Sequence, residues 1–324
     1  MTASETSRFL MKLRDGAARR APRISARLGM AGTEVTFASE PLFQSVGVRR
    51  DRGIAGGGVW RLATSSAKLD DRDAWDHCYD IIAQNDSVTL VEPDLEQQWT
   101  YGERAGANRN LAMRSGGPQP QDIGNGYAGD KNDNYWFRNG GHGQFEAALT
   151  ATGGFGQGVR IAHLDTGYDP DHKSLPRYLR ADLARNFVDA DRAKDATDRS
   201  KGVLNNFSHG CGTLGILAGA TVPGLKPFGC APNAEIVPVR VANRVALFSN
   251  SSIARGLDYV HQLCASEATR VNVVSMSMGG LPSQAWADAI NALYEAGVIV
   301  VTAAGNNYDN LPTRFLFTPR ASAA

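Results

Sequence analysis

The sequence predicts an α/β protein: a three-layer parallel sheet preceded by a small α+β domain. Three observations carry this. After Gly153, short apolar runs alternate with amphipathic helical stretches, the pattern of parallel strands covered on both faces. Residues 35–100 instead alternate strand-like runs (EVTFA, VWRLATS, SVTLVEPDL) with one helical stretch at 72–84, a compact α+β pattern. Residues 101–145, rich in Gly, Asn and Asp, read as a linker or surface wrap between the two.

Composition sets the bounds. The chain has 324 residues, 42% hydrophobic and 21% charged, which suits a folded protein with a sizeable core. A net charge of +1 gives no field for a nucleic-acid or membrane partner. Residues 1–34 hold seven Arg or Lys against three Asp or Glu and read as a basic, disordered arm. That arm lacks an apolar signal region, and no apolar run is long enough to span a membrane. The reading leans towards the cytoplasm and leaves the compartment open. Cys78, Cys211, Cys230 and Cys264 show no metal-type spacing and read as free, buried thiols.

Residues 146–324 form the second domain. Its first strand is 159–164 (VRIAHL). Its second is 234–241 (AEIVPVRV), where Pro238 argues for an irregular or edge position. A helix follows over 250–265, with Ile253, Leu257, Val260 and Leu263 on one face. Residues 271–276 (VNVVSM) are a third strand. Residues 282–296 are a helix begun by Ser283 and stopped by Gly297, and 298–303 (VIVVTA) are a fourth strand.

Sites in such sheets lie beyond the carboxyl ends of the strands. The first strand runs into Asp165-Thr166-Gly167. Ser208-His209-Gly210-Cys211-Gly212 opens a helix with four glycines between 210 and 219, which close packing near a site would explain. The third strand ends in Ser275-Met276-Ser277-Met278-Gly279-Gly280, and the fourth in Ala303-Ala304-Gly305-Asn306. Each is also an ordinary turn or cap signal. The order of all four, each at a strand end or helix start, is what points to a site.

That order resembles the subtilisin-like serine proteases, the subtilases, over about residues 153–306. The Asp-Thr-Gly block with its following His172 and the Ala-Ala-Gly-Asn block match well. The histidine block departs: His-Gly-Cys-Gly stands where the family has His-Gly-Thr-His. The resemblance implies His209 as general base, Asp165 as its orienting partner, and Asn306 as oxyanion donor. It implies Ser277, Met278 and Gly279 as lining for a polypeptide substrate, with Met278 a wall of the first side-chain pocket. Val91-Glu92-Pro93-Asp94 resembles the end of a subtilase propeptide, so the domain at 35–100 is expected to inhibit its own catalytic domain. Many subtilases bind calcium. The acidic loop with Asp189, Asp191, Asp195 and Asp198 lacks a calcium-loop pattern and reads as solvated, so no cofactor is expected.

The family's nucleophile lies in Gly-Thr-Ser, a sequence that does not occur after His209, and Ser322 lies in a terminal Ala-Ser-Ala. The expectation is a serine endopeptidase cut short before its nucleophile, and therefore inactive as given. The alternative is a peptide-binding pseudoprotease. A dinucleotide fold is set aside, because Gly154, Gly156 and Gly158 precede the first strand instead of following it.

Overall fold

The structure, a computed structural model, describes residues 6–14, 24–29, 32–47, 58–98, 143–198, 209–220, 229–243, 247–280 and 282–303. The expected linker at 101–145 lies outside them but for its last three residues.

The N-terminal part is an antiparallel sheet with one helix. Its strands are β1 (Arg8–Arg14), β2 (Ile24–Leu28), β3 (Thr33–Pro41) and β4 (Gly58–Ser65), followed by α1 (Ala74–Ala83) and β5 (Val88–Pro93). The strand order is β2-β3-β4-β1-β5. β1 and β2 correct the expectation of a disordered arm over residues 1–34. The basic residues there conceal a period-two pattern: Phe9, Met11 and Leu13 face α1, with its Cys78 and Ile81, while Leu10 faces the other way. Arg8, Lys12 and Arg14 are the more exposed positions of the strand, and Lys12 pairs with Asp288.

β6 (Glu96–Gln98) and α2 (Phe145–Thr152) follow, and then the parallel sheet begins. Its members are β7 (Arg160–Asp165), β8 (Arg185–Asn186), β9 (Glu235–Arg240), β11 (Val273–Met276) and β12 (Ile299–Thr302). Between them come α3 (His209–Ala218), β10 (Leu247–Ser249), α4 (Asn250–Leu263) and α5 (Gln284–Glu295). The order is β12-β11-β7-β9-β8, every pair parallel. Alternation decides which side chain faces which layer. Ala162, Leu164, Val237, Val239, Val274 and Met276 join the core beneath α4 and α5, whereas Ile161, Ile236 and Val273 pack on the side of α3.

Pro238 lies in a regular strand, second from the edge, and not at an irregular position. Its missing N–H faces the β8 side, in the gap between the Leu179–Ile236 bridge and the β8 pairing at Val239, so no ladder bond is lost. Among the described residues β12 ends the sheet, with Ile299 and Val301 exposed.

The two parts share one core. Leu10, Leu42, Phe43, Trp60 and Leu62 from the N-terminal sheet pack with Ile253, Leu257, Ala285 and Ala289 of α4 and α5. Acidic side chains fix this contact. Asp94 accepts from the Ser251 N–H and hydroxyl at 2.8 and 2.7 Å, at the start of α4. Glu92 accepts from the Ser283 hydroxyl and from the N–H groups of Gln284 and Ala285, at the start of α5. Carboxylates at helix N-termini satisfy orphan donors and meet the positive end of the dipole. In return, Asp258 of α4 accepts the N–H groups of Gln44, Ser45 and Val46. β6 pairs antiparallel with β10, Gln97 opposite Phe248.

Candidate active site

Two periodicities build the site. In β7, His163 and Asp165 are two residues apart and share a face of the sheet. In α3, His209 and Thr213 are four apart and stack on one face of the helix. That helix face lies on that sheet face. His209 Nδ1 is 2.8 Å from Asp165 Oδ1, which also accepts the Thr166 N–H at 2.7 Å. A carboxylate only accepts, so Nδ1 carries the proton and Nε2 is left as the basic nitrogen.

Asp165 is fully buried and His209 partly exposed. Burial pushes the Asp165 carboxyl up, but the hydrogen bond from His209, neighbouring imidazole charge and the Thr166 N–H outweigh it, holding the group below the ordinary carboxylate value. It is therefore ionised at neutral pH.

The turn after Asp165 is tied to the start of α3. Gly210 N donates to Thr166 Oγ1 at 3.2 Å, and Thr166 Oγ1 donates to Asp198 Oδ2 at 2.9 Å. A Cβ on Gly210 would stand 1.9 Å from the Gly167 carbonyl oxygen, so only glycine permits this approach. Gly212 differs: a Cβ there meets nothing within 4 Å, so close packing does not explain that glycine. Cys211, where the family motif has threonine, is buried and accepts the Asp169 N–H. Burial pushes its thiol up, so beside His209 it acts as packing and not as a thiolate nucleophile. Cys78, Cys211 and Cys264 are free and buried as expected, whereas Cys230 is half-exposed and not buried.

The acidic loop is less solvated than the sequence suggests. Asp198 is buried beneath Thr166, Asp195 accepts the Thr197 N–H, and Asp189 accepts from Asn186. Among the described residues no group of three His, Cys, Asp or Glu is placed to hold a metal ion. No helix among them is long and apolar enough to cross a membrane.

Of the residues that the sequence singles out, Asp165 and His209 lie within hydrogen-bond distance of each other. Ser277, Met278 and Gly279 follow β11, beside β12, where Thr302 Oγ1 donates to the Met278 carbonyl at 3.0 Å. Met278 is itself buried in the core shared with α4 and α5, which leaves little of its side chain to wall a pocket. Asn306 lies outside the described residues. His163 and Thr213 carry no role in the sequence reading. Their signal was present, a histidine inside an apolar strand two residues before the aspartate, and a hydroxyl one turn after His209.

The chain is similar to several known proteins over about half of its length. The chain is 34% identical over 157 residues to subtilisin-like protease 3 of Arthroderma benhamiae, a match covering 47% of this chain and 34% of that one. Over 157 residues it is 32% identical to subtilisin-like protease 6 of Trichophyton schoenleinii, with the same coverage. The chain thus spans about a third of the length of these curated relatives. A cold-adapted subtilisin-like serine proteinase of solved structure is 28% identical, with a TM-score of 0.38 and coverage of 48% of this chain and 49% of that one. A protease from Pseudoalteromonas arctica is 30% identical, with a TM-score of 0.39 and coverage of 49% and 53%. The subtilase family model matches residues 156–318, half of the chain, and takes in β7 with Asp165 and α3 with His209. The chain belongs to the subtilase family.

Proposed function

We propose that the protein is a serine-type endopeptidase acting through an Asp-His-Ser triad, with Asp165 and His209 as its acid–base half. One observation carries this reading: a fully buried carboxylate at a strand end lies 2.8 Å from Nδ1 of a histidine at a helix start, the arrangement in which Nδ1 is the donor and Nε2 the basic nitrogen. In this chemistry His209 Nε2 takes the proton of a serine hydroxyl as its oxygen attacks the scissile carbonyl. It then gives that proton to the leaving amine. Asp165 keeps the imidazole in the correct tautomer and stabilises the imidazolium. Asn306 is assigned as oxyanion donor, a contact worth on the order of 100–1,000-fold in rate. The backbone at Ser277 and Gly279 is assigned to hold an extended polypeptide substrate as an added strand.

The N-terminal domain is assigned as an inhibitor. Its support is the pairing of β6 with β10 and the capping of α4 and α5 by Asp94 and Glu92. Pairing as an added strand is one mode by which an extended peptide is bound.

A fluorophosphonate probe tests the triad. Residues 1–324 hold no Gly-Thr-Ser after His209, so no labelling is expected of them as given; joined to a segment that carries this motif, they should label at its serine, with labelling abolished by His209→Ala and reduced by Asp165→Asn. Labelling that survives His209→Ala sinks the assignment. Binding of an extended peptide with no labelling even of the joined chain identifies instead a peptide-binding protein without a nucleophile.

A further inference from the structure

His163 is a polar side chain at a position where an apolar one would pack as well. It is 2% exposed, within an otherwise apolar strand core. Burying an imidazole costs free energy unless its polar atoms are met. Its Nε2 lies 2.8 Å from Thr213 Oγ1 and 3.7 Å from Asp165 Oδ2. The first distance is a hydrogen bond and the second is not, so His163 reaches the carboxylate through the threonine hydroxyl.

The direction of that bond follows from the acceptors around Thr213. Its hydroxyl has one proton and three acceptors in reach: Asp165 Oδ2 at 3.3 Å, the His209 carbonyl at 3.2 Å and the Gly210 carbonyl at 3.1 Å. The distances alone do not choose between them. An ionised carboxylate is the strongest acceptor of the three. If His163 Nε2–H donates to Thr213 Oγ1, it occupies a lone pair of that oxygen, and the hydroxyl proton is free for the carboxylate. If the hydroxyl donates to His163 instead, Asp165 Oδ2 loses this donor. The first arrangement satisfies more groups. Burial pushes the His163 imidazole below its ordinary value, so it is neutral with a single N–H, as this arrangement needs.

We propose that His163 is a positioning residue of the Asp165–His209 pair: through Thr213 it holds a hydroxyl proton on Asp165 Oδ2, so that Oδ1 remains turned to His209. The inference rests on the assignment of that pair as the acid–base half of a triad. The carboxylate is then fixed at both oxygens, Oδ1 by His209 and the Thr166 N–H, Oδ2 by the Thr213 hydroxyl. A carboxylate held at one oxygen only is free to rotate about its χ2 bond and to lose alignment with the imidazole.

The test is nitrogen NMR of the full chain with isotope-labelled histidine. The expected spectrum shows His163 protonated at Nε2 and His209 protonated at Nδ1 with a low-field proton. Thr213→Val and His163→Phe should move that low-field proton upfield and raise its exchange with water roughly tenfold, the scale of one lost hydrogen bond to a charged group. His163→Gln, which keeps a donor, should restore most of the protection. The Thr213→Val, His163→Phe double variant should be no worse than either single one, since both cut the same path. His163 protonated at Nδ1 overturns the proposal. So does a His209 signal unchanged in folded Thr213→Val, and in His163→Phe where that variant folds, when Asp165→Asn abolishes it. A His209 signal indifferent to Asp165→Asn overturns the triad reading itself, and so separates the two failures. His163→Phe bears only on a folded variant; Thr213→Val alters a half-buried surface of α3 and keeps the test open if His163→Phe does not fold.

Discussion

The approach of α3 to the turn at Gly167 sets the tightest requirement on any single side chain in the site. With a Cβ on residue 210 only 1.9 Å from a backbone oxygen, Gly210→Ala must push α3 away from Asp165. The expected loss is at least the ~1–3 kcal/mol of ordinary overpacking, read as a lower urea midpoint, together with loss of the low-field His209 proton. His163 gives a second prediction, in pH. Its ordinary value is 6.5, and burial lowers it in the folded protein. Between the lowered value and 6.5 the unfolded chain binds the extra proton, so the contribution is complete above 6.5 and shrinks as pH falls below it. Asp165 acts in the same sense further down: its depressed value favours folding above 3.8 and that contribution is lost as pH falls through the folded value. Asp165 and His209 are the titratable groups facing His163, while Pro238 of β9 and Ser275 of β11 flank it in register and do not titrate. The urea midpoint should therefore decline from pH 7 to pH 5, and decline less in His163→Gln. Equal slopes would remove His163 from this account.

Helix termini carry much of the specificity at the level of elements. α4 and α5 begin at Ser249 and Ser283, whose side chains accept from Ser252 N and Trp286 N. The N-terminal domain then supplies the Asp94 and Glu92 carboxylates to the same two helix starts. Burial pushes the Glu92 carboxyl up, against the pull of its three donors. The sign is opposite to that of Asp165: a raised folded value favours folding below 4.5 and is lost as pH rises through it. Glu92→Ala should cost ~1–3 kcal/mol by leaving donors of α5 unmet. Glu92→Gln keeps an acceptor and should cost less, with the difference from wild type smallest at alkaline pH. Thermal melts of both variants at pH 5 and pH 8 check this. Within α3, Gly212 is exposed, at ordinary helical backbone angles, with open space around its Cβ position. Gly212→Ala should stabilise by ~0.5–1 kcal/mol, seen as a raised midpoint with the His209 signal intact.

For the molecule as a whole, the shared core makes the two parts one folding unit. Trp60 is 2% exposed, packs edge-on to Phe43 at 6.5 Å, and donates its indole N–H to Asp288 of α5. Lys12 meets the same carboxylate at 2.8 Å. Trp60→Ala should cost ~3–5 kcal/mol, as for large core truncations, and should uncouple the two parts, so that calorimetry shows two transitions in place of one. A single, unshifted transition would mean that the shared core contributes little to their association.

Much of this was legible in sequence. The strands β7, β9, β11 and β12, the helices α4 and α5, the Ser283 cap and the pairing of Asp165 with His209 follow from apolar periodicity and from polar residues set at strand ends. Local chemistry encodes these features within a few residues. The strands β1 and β2 were hidden because charge count outweighed an alternation that only a partner sheet makes visible. The regular place of Pro238 depends on a gap in a neighbouring ladder, which no local pattern records. The buried role of Asp198, the burial of Met278 and the linkage of His163 through Thr213 to Asp165 join residues far apart in the chain. The sequence by itself therefore determined the family and pointed to Asp165 and His209, because strand ends and helix starts gather their own residues. Tertiary structure alone decided what holds that pair in place, because hydrogen bonds between a strand face and a helix face exist only once the two are packed.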